Sequence, residues 1–195
     1  MRKTLVALVV LAALWISYAV SPIVGLYRLV SAAQAGETKA LGERIIADEL
    51  RLSITQQVLR AYLRLTGRDK MSPFTQNVFV AAATSIADPI VAKFVSPDSI
   101  VEFLRDGWPK SVLPDQPAAG FSGVNTANLG SAWQLFVNSD YGFGSFRIAL
   151  PADVAPDRQF GLRLHLSQWT WKLAGIDLPE AIQDKLAQEI IKTNP

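Results

Sequence analysis

The sequence predicts an α+β protein: an N-terminal transmembrane or signal helix, then helices packed on one face of a three- to four-stranded antiparallel meander, then a C-terminal helix. Three observations carry this. Residues 4–27 hold no charge. Apolar residues recur at helical spacing through the first half. Beyond residue 130 they alternate with period two, the mark of strands with one buried and one wet face. Helices followed by strands form layers of the α+β kind.

The first element is "TLVALVVLAALWISYAVSPIVGLY", residues 4–27. It exceeds the roughly 20 residues that cross a bilayer as a helix. Arg2 and Lys3 precede it, which keeps this end in the cytoplasm and exports the rest. Trp15, Tyr18 and Tyr27 suit the outer interface. The rival reading is a cleaved signal peptide: the core Thr4–Ile16 is short, and Ser17-Tyr18-Ala19 has small-x-small form. On that reading the domain is secreted to the periplasm after cleavage near Ala19. Residues 1–27 are therefore anchor or signal, and 28–195 one extracytoplasmic domain with a long loop at 107–130.

Ser21-Pro22 reads as a helix start, serine capping and proline in the first turn. That helix runs to about Ala35, with Ile23, Leu26, Val30 and Ala33 on one face, and Gly36 stops it. A second helix spans about Glu37–Ala47 and a third about Glu49–Thr66. In the third, Ile54, Val58, Ala61 and Leu65 share a face, with Arg60, Arg64 and Arg68 beside them. Residues 77–95 are apolar almost all round. Asp88 and Lys93 interrupt them, and central charge is costly in lipid, so a buried core helix is expected. Ser96-Pro97-Asp98 opens another helix, about 97–106, with Ile100, Phe103 and Leu104 inward and Gly107 as its stop.

Residues 107–130 carry three prolines and four glycines without periodicity, and read as a mobile surface loop. Strands are then expected at "AWQLFVN" (Trp133, Leu135 and Val137 inward), "GSFRIAL", "FGLRLHL" and "TWKLAGI", with "SDYG" as a turn. A last helix, "EAIQDKLAQEI", buries Ile182, Leu186 and Ile190.

Composition narrows the chemistry. From Thr4 onward 17 basic and 17 acidic side chains balance, and a neutral domain lacks the dense basic surface that nucleic acid requires. There is no cysteine and one histidine, and the carboxylates are scattered, so no metal site and no cofactor are expected. No glycine-rich phosphate loop or G-x-S-x-G nucleophile turn is present. His165 and Arg163 are the only catalytic candidates, on the strand face opposite Leu162, Leu164 and Leu166. Binding candidates are Trp169, Trp108 and the arginine stripe Arg60, Arg64 and Arg68, which suits anionic headgroups or an acidic partner.

Four pieces resemble the bacterial domain-of-unknown-function family 2939: "YAVSPIVGLYRLVSAAQAGETKAL", "DELRLSITQQV", "FVSPDSIVEFL" and "WKLAGIDLP". The family pattern is a membrane segment, an SP-x-x-x-L opening helix (Ser21, Pro22, Leu26), an FR-I strand (Phe146, Arg147, Ile148) and a WKL-x-x-I-x-LP close (Trp171, Lys172, Leu173, Ile176, Leu178, Pro179). One departure is "ADELR", where such proteins often carry an aromatic before a proline. The resemblance implies bacterial origin and export and carries no catalytic residues. The element order is also similar in shape to cone-shaped, nuclear-transport-factor-like folds.

These readings lead to two functional expectations. The first is a non-enzymatic, membrane-anchored module that binds an envelope partner or an apolar ligand. The alternative is a cone-fold enzyme using His165 and Arg163 in a pocket.

Overall fold

The computed structural model describes residues 2–67, 88–115, 122–126, 129, 132–151 and 154–193. Helix α1 is Arg2–Gln34, α2 Thr38–Gly42 and α3 Ala47–Leu65. A helical segment over 88–94 is α4. Helix α5 is Pro97–Asp106 and α6 Ala132–Val137. Strands β1 (Ser139–Gly142), β2 (Ser145–Leu150), β3 (Phe160–Ser167) and β4 (Thr170–Asp177) precede α7 (Glu180–Thr193). The strands form an open antiparallel sheet in the order β1-β2-β3-β4. The α+β arrangement expected from the sequence is the one observed.

Helix α1 is one continuous helix with Pro22 inside it, so Ser21 is not the N-cap the dipeptide suggested. Proline removes an amide donor and leaves the carbonyl four residues back without its helical partner. Here Ser21 Oγ donates to that carbonyl, Tyr18 O, at 2.7 Å, and the helix continues. Its first part is exposed from Leu5 to Ile16, whereas Leu26, Leu29, Val30 and Ala33 are buried in the core.

The sheet has one apolar face. Phe146, Ile148 and Leu150 of β2, Phe160, Leu162 and Leu164 of β3, and Leu173 and Ile176 of β4 are buried, and α1 and α5 lie in the same core. Phe103 of α5 meets Phe160 with ring centroids 4.8 Å apart. Gly25 of α1 sits directly on Trp171: a Cβ there would lie 2.5 Å from the tryptophan Cβ. Only glycine lets helix and strand approach this closely. A register shift between Arg163 and Leu164 lets β4 bulge against β3.

The outer edge of β4 would present unpaired backbone groups. Arg44 O accepts from Leu173 N, and Ile46 N donates to Leu173 O, at 2.7 and 2.8 Å. Further along, the buried side-chain amide of Gln57 stands in for a strand. It donates to Ile176 O at 2.7 Å and accepts from Leu178 N at 2.8 Å.

Three sequence expectations are corrected. "AWQLFV" is helix α6, not a strand, and its alternation does not define a face: Leu135 is buried and Val137 exposed. A short apolar run fits either period. "SDYG" is strand β1 rather than a turn, and the chain reverses at Phe143-Gly144, where Gly144 takes φ 72°. The described residues of 107–130 are not all surface; some pack into the core. Gly107 caps α5 in the left-handed region at φ 75°, and Leu113, Val124 and Leu129 are buried. Val124 N donates to Leu104 O at 2.7 Å, and a Cβ on Gly123 would fall 1.8 Å from Arg105 O.

Beyond these, α2 stops at Gly42 instead of running to about Ala47, because Ile45 pairs with Leu173 beside β4, and Leu65 of α3 is exposed rather than buried with Ile54 and Val58; α5 matches its sequence signals. Ser96 caps α5, its hydroxyl accepting from Ser99 N, with Pro97 in the first turn. Within the 77–95 stretch only 88–95 is described, and there Val91 and Phe94 are buried while Ala92 and Lys93 are exposed. Residues 77–87 lie outside the described residues.

Candidate functional site

The end of the sheet nearest the exposed part of α1 concentrates the aromatic side chains. The β1–β2 and β3–β4 hairpins both turn at this end, because Ser145 pairs with His165 and Leu166 N donates to Gly144 O at 2.9 Å. Tyr18 of α1 reaches the first turn. Its hydroxyl accepts from Gly144 N at 2.9 Å, and its ring stacks on Phe143 with centroids 6.4 Å apart.

The proline turn of α1 is closed by side chains from the sheet. Trp171 Nε1 donates to Ser21 Oγ at 2.8 Å, and that hydroxyl donates onward to Tyr18 O. The Tyr141 hydroxyl donates to the neighbouring carbonyl, Ala19 O. Burial, with Tyr18 close by, raises the Tyr141 pKa, which keeps the phenol protonated as a donor. Bare backbone carbonyls in an apolar setting cost several kcal/mol, and side-chain hydroxyls commonly resatisfy them near a helix proline.

Beside this joint lies an apolar cleft of about 490 Å³ between α1 and the first hairpin. Trp15, Tyr18, Phe136, Ser139, Tyr141 and Phe143 line it. Two aromatic side chains at the turns are almost wholly exposed, Trp169 at 96 % and Phe143 at 103 % relative accessibility.

A second, polar cleft of similar volume lies at the opposite end of the sheet, and Asp140, Arg147, Asp157, Asp177 and Glu180 help line it. Its central charges satisfy one another. Asp177 accepts from Arg147 Nε and from an Arg163 guanidinium nitrogen, each at 2.7 Å. Arg163 also donates to Ser53 Oγ at 3.3 Å.

The sequence candidates fall in separate places. His165 Nδ1 lies 2.7 Å from Glu49 Oε2 of α3, and this pair is open to solvent, its side chains 37 % and 47 % exposed. Arg163, two residues away, points to Asp177 instead. Trp169 is at the β3–β4 turn. Trp108, expected as a contact group, is fully buried and donates its indole N–H to Leu113 O at 2.6 Å. A large ring following the α5 cap fills the core instead of facing a partner. Arg64 is held by Asp184 and Glu180 of α7, at 2.5 and 3.1 Å, so it ties two helices together. Arg60 is exposed and donates to Gln56 O within its own helix. Arg68 lies outside the described residues.

Tyr141 falls in "SDYG", which reads as a turn, and Phe143 lies between that turn and the strand "GSFRIAL", so neither stands out in the sequence. An aromatic flanked by glycines in a hairpin turn was the available signal.

Residues 11–103 match the family described as "Protein of unknown function (DUF2939)". The match covers just under half of the chain. The matched segment begins within the exposed part of α1, includes Tyr18, Ser21 and Pro22 of the joint, and ends inside α5. The sheet and α7 lie beyond it. No curated protein and no solved structure matches the chain.

Proposed function

We propose that this protein is a membrane-anchored extracytoplasmic module that binds an apolar ligand or envelope partner and performs no catalysis. Its N-terminus faces the cytoplasm, and α1 remains uncleaved. The observation that carries this is the joint between α1 and the sheet. Cleavage near Ala19 would remove Tyr18, whose carbonyl accepts from Ser21 and whose hydroxyl accepts from Gly144. Among the described residues, α1 is the one helix long and apolar enough to cross a membrane.

The contact surface we assign is the aromatic cleft of Trp15, Phe136, Tyr141 and Phe143. Apolar sites with a few polar groups are the usual form of a small-ligand pocket. Ser139 and Tyr141 supply those polar groups. The rival reading, a cone-fold enzyme with His165 and Arg163 in one pocket, gains little support. The two side chains engage different carboxylates, and a general base needs a concave site to act in.

Native mass spectrometry of the full chain, gently extracted from its membrane, tests the reading. A small molecule of defined mass that is lost when Ser139→Leu fills the cleft is expected. A chain bare of both small molecule and protein partner would overturn it. Sidedness is checked with Arg158→Cys, the sole thiol in a chain that has none. An impermeant maleimide should label it from outside the cytoplasmic membrane, and labelling only after that membrane is lysed would refute the orientation.

A further inference from the structure

We propose that the two hairpin turns, through Phe143 and Trp169, dip into the interfacial layer of the same bilayer that α1 crosses, holding the sheet end-on against the membrane. The proposal rests on the reading of α1 as a membrane span.

Helix length is the first argument. The wholly exposed part of α1 runs from Lys3 to Ser17, and burial begins at Tyr18. Those 15 residues rise about 22 Å at about 1.5 Å each, against a hydrocarbon core about 30 Å thick. Lys3 resists being drawn inward at the other end. Hydrocarbon and interface must therefore extend past Ser17 to Tyr18 and beyond. The first hairpin turn is at that level, since Gly144 N is bonded to the Tyr18 hydroxyl.

Composition of the turns is the second. "YGFGSF", 141–146, and "LSQWTW", 166–171, contain no charge, although Asp140, Arg147, His165 and Lys172 flank them. Phe143 and Trp169 point out of the fold almost fully exposed. Tryptophan and other amphipathic aromatics concentrate where a membrane meets water. The apolar surface is continuous from the exposed face of α1, through Trp15 and Tyr18, onto Phe143.

Backbone conformation is the third. The β3–β4 turn is the two-residue kind, with Gln168 at φ 50° and Trp169 at φ 62°. Such turns favour Asn-Gly, because both residues sit in the left-handed region. A tryptophan held there without packing on the domain is strained locally, and strain of this kind collects at functional positions. Contact with lipid gives that ring the apolar surroundings the fold does not.

The test uses the full chain in phosphatidylcholine vesicles, with single cysteines carrying a fluorophore and a lipid bearing a nitroxide near its carbonyl as quencher. Phe143→Cys and Gln168→Cys report the turns, the latter keeping Trp169. Leu8→Cys reports the span, and Arg158→Cys the far end of the sheet. We expect several-fold stronger quenching at 143 and 168 than at 158, with Leu8 also quenched. Quenching at 8 with 143 and 168 no stronger than 158 would overturn the turn contact and leave the anchor standing. No quenching at 8 would overturn the anchor reading and this proposal with it.

Discussion

Replacing Gln57 with leucine should destabilise the domain by about 2–4 kcal/mol, although the two side chains have similar volume. Gln57 is buried in α3, and its amide completes the edge of β4. Leucine would leave Ile176 O and Leu178 N unpaired beneath α3. A buried donor or acceptor stripped of its partner costs about 1–3 kcal/mol. Relaxation at the edge keeps the total toward the lower half of the combined range. With an m-value of about 2 kcal/mol/M, the urea midpoint should fall by about 1–2 M. The assay is urea unfolding of the full chain in mild detergent, followed by tryptophan fluorescence, together with hydrogen exchange at the Leu178 amide. Gln57→Glu keeps the acceptor for Leu178 N but loses the donor to Ile176 O, so its Leu178 amide should stay better protected than in the leucine variant. A leucine variant with an unchanged midpoint and unchanged exchange at Leu178 would refute the view that this side chain replaces a strand.

Gly25→Val places a branched Cβ against the Trp171 Cβ, which cannot rotate away. A loss of at least about 1–3 kcal/mol is expected from such overpacking, read as a lower melting temperature, and a wild-type melt would contradict it. His165→Ala should cost under about 1 kcal/mol, since its contact with Glu49 is solvent-exposed. A larger loss in urea unfolding would show the pair to be structural. Asp106 is held below its ordinary value of 3.8, first by the hydrogen bond from Arg105 and then by Lys110. A depressed carboxyl contributes stability that is present above pH 3.8 and lost as the pH falls through the lower folded value. Asp106→Asn should therefore lose stability at neutral pH and flatten the acid side of the stability profile, and an unchanged acid limb would contradict this.

Elements with strong local signals were legible in the sequence. Ser96-Pro97 and Gly107 bracket α5 because a cap, a proline and a left-handed glycine each act on their own turn. Period-two alternation located β2, β3 and β4. Ser21-Pro22 misled because the same dipeptide can be accommodated inside a helix when the serine takes the freed carbonyl. That outcome depends on Trp171, 150 residues away. Trp108 and the packed parts of 107–130 were illegible for a similar reason. Proline and glycine content predicts irregular backbone, but not whether its apolar side chains reach a core. The aromatic end of the sheet was half visible. Trp169 stood out by type and spacing, whereas Phe143 and Tyr141 gain meaning only from the register that brings their hairpin to Tyr18.

We propose above that α1 is at once membrane span and core helix, joined to the sheet at Pro22 and kept whole. Intact-mass measurement of the protein isolated from washed membranes tests it most directly. A membrane-bound chain with the mass of the whole sequence, 21.3 kDa, is expected. A soluble chain lacking the residues up to Ala19 would contradict it.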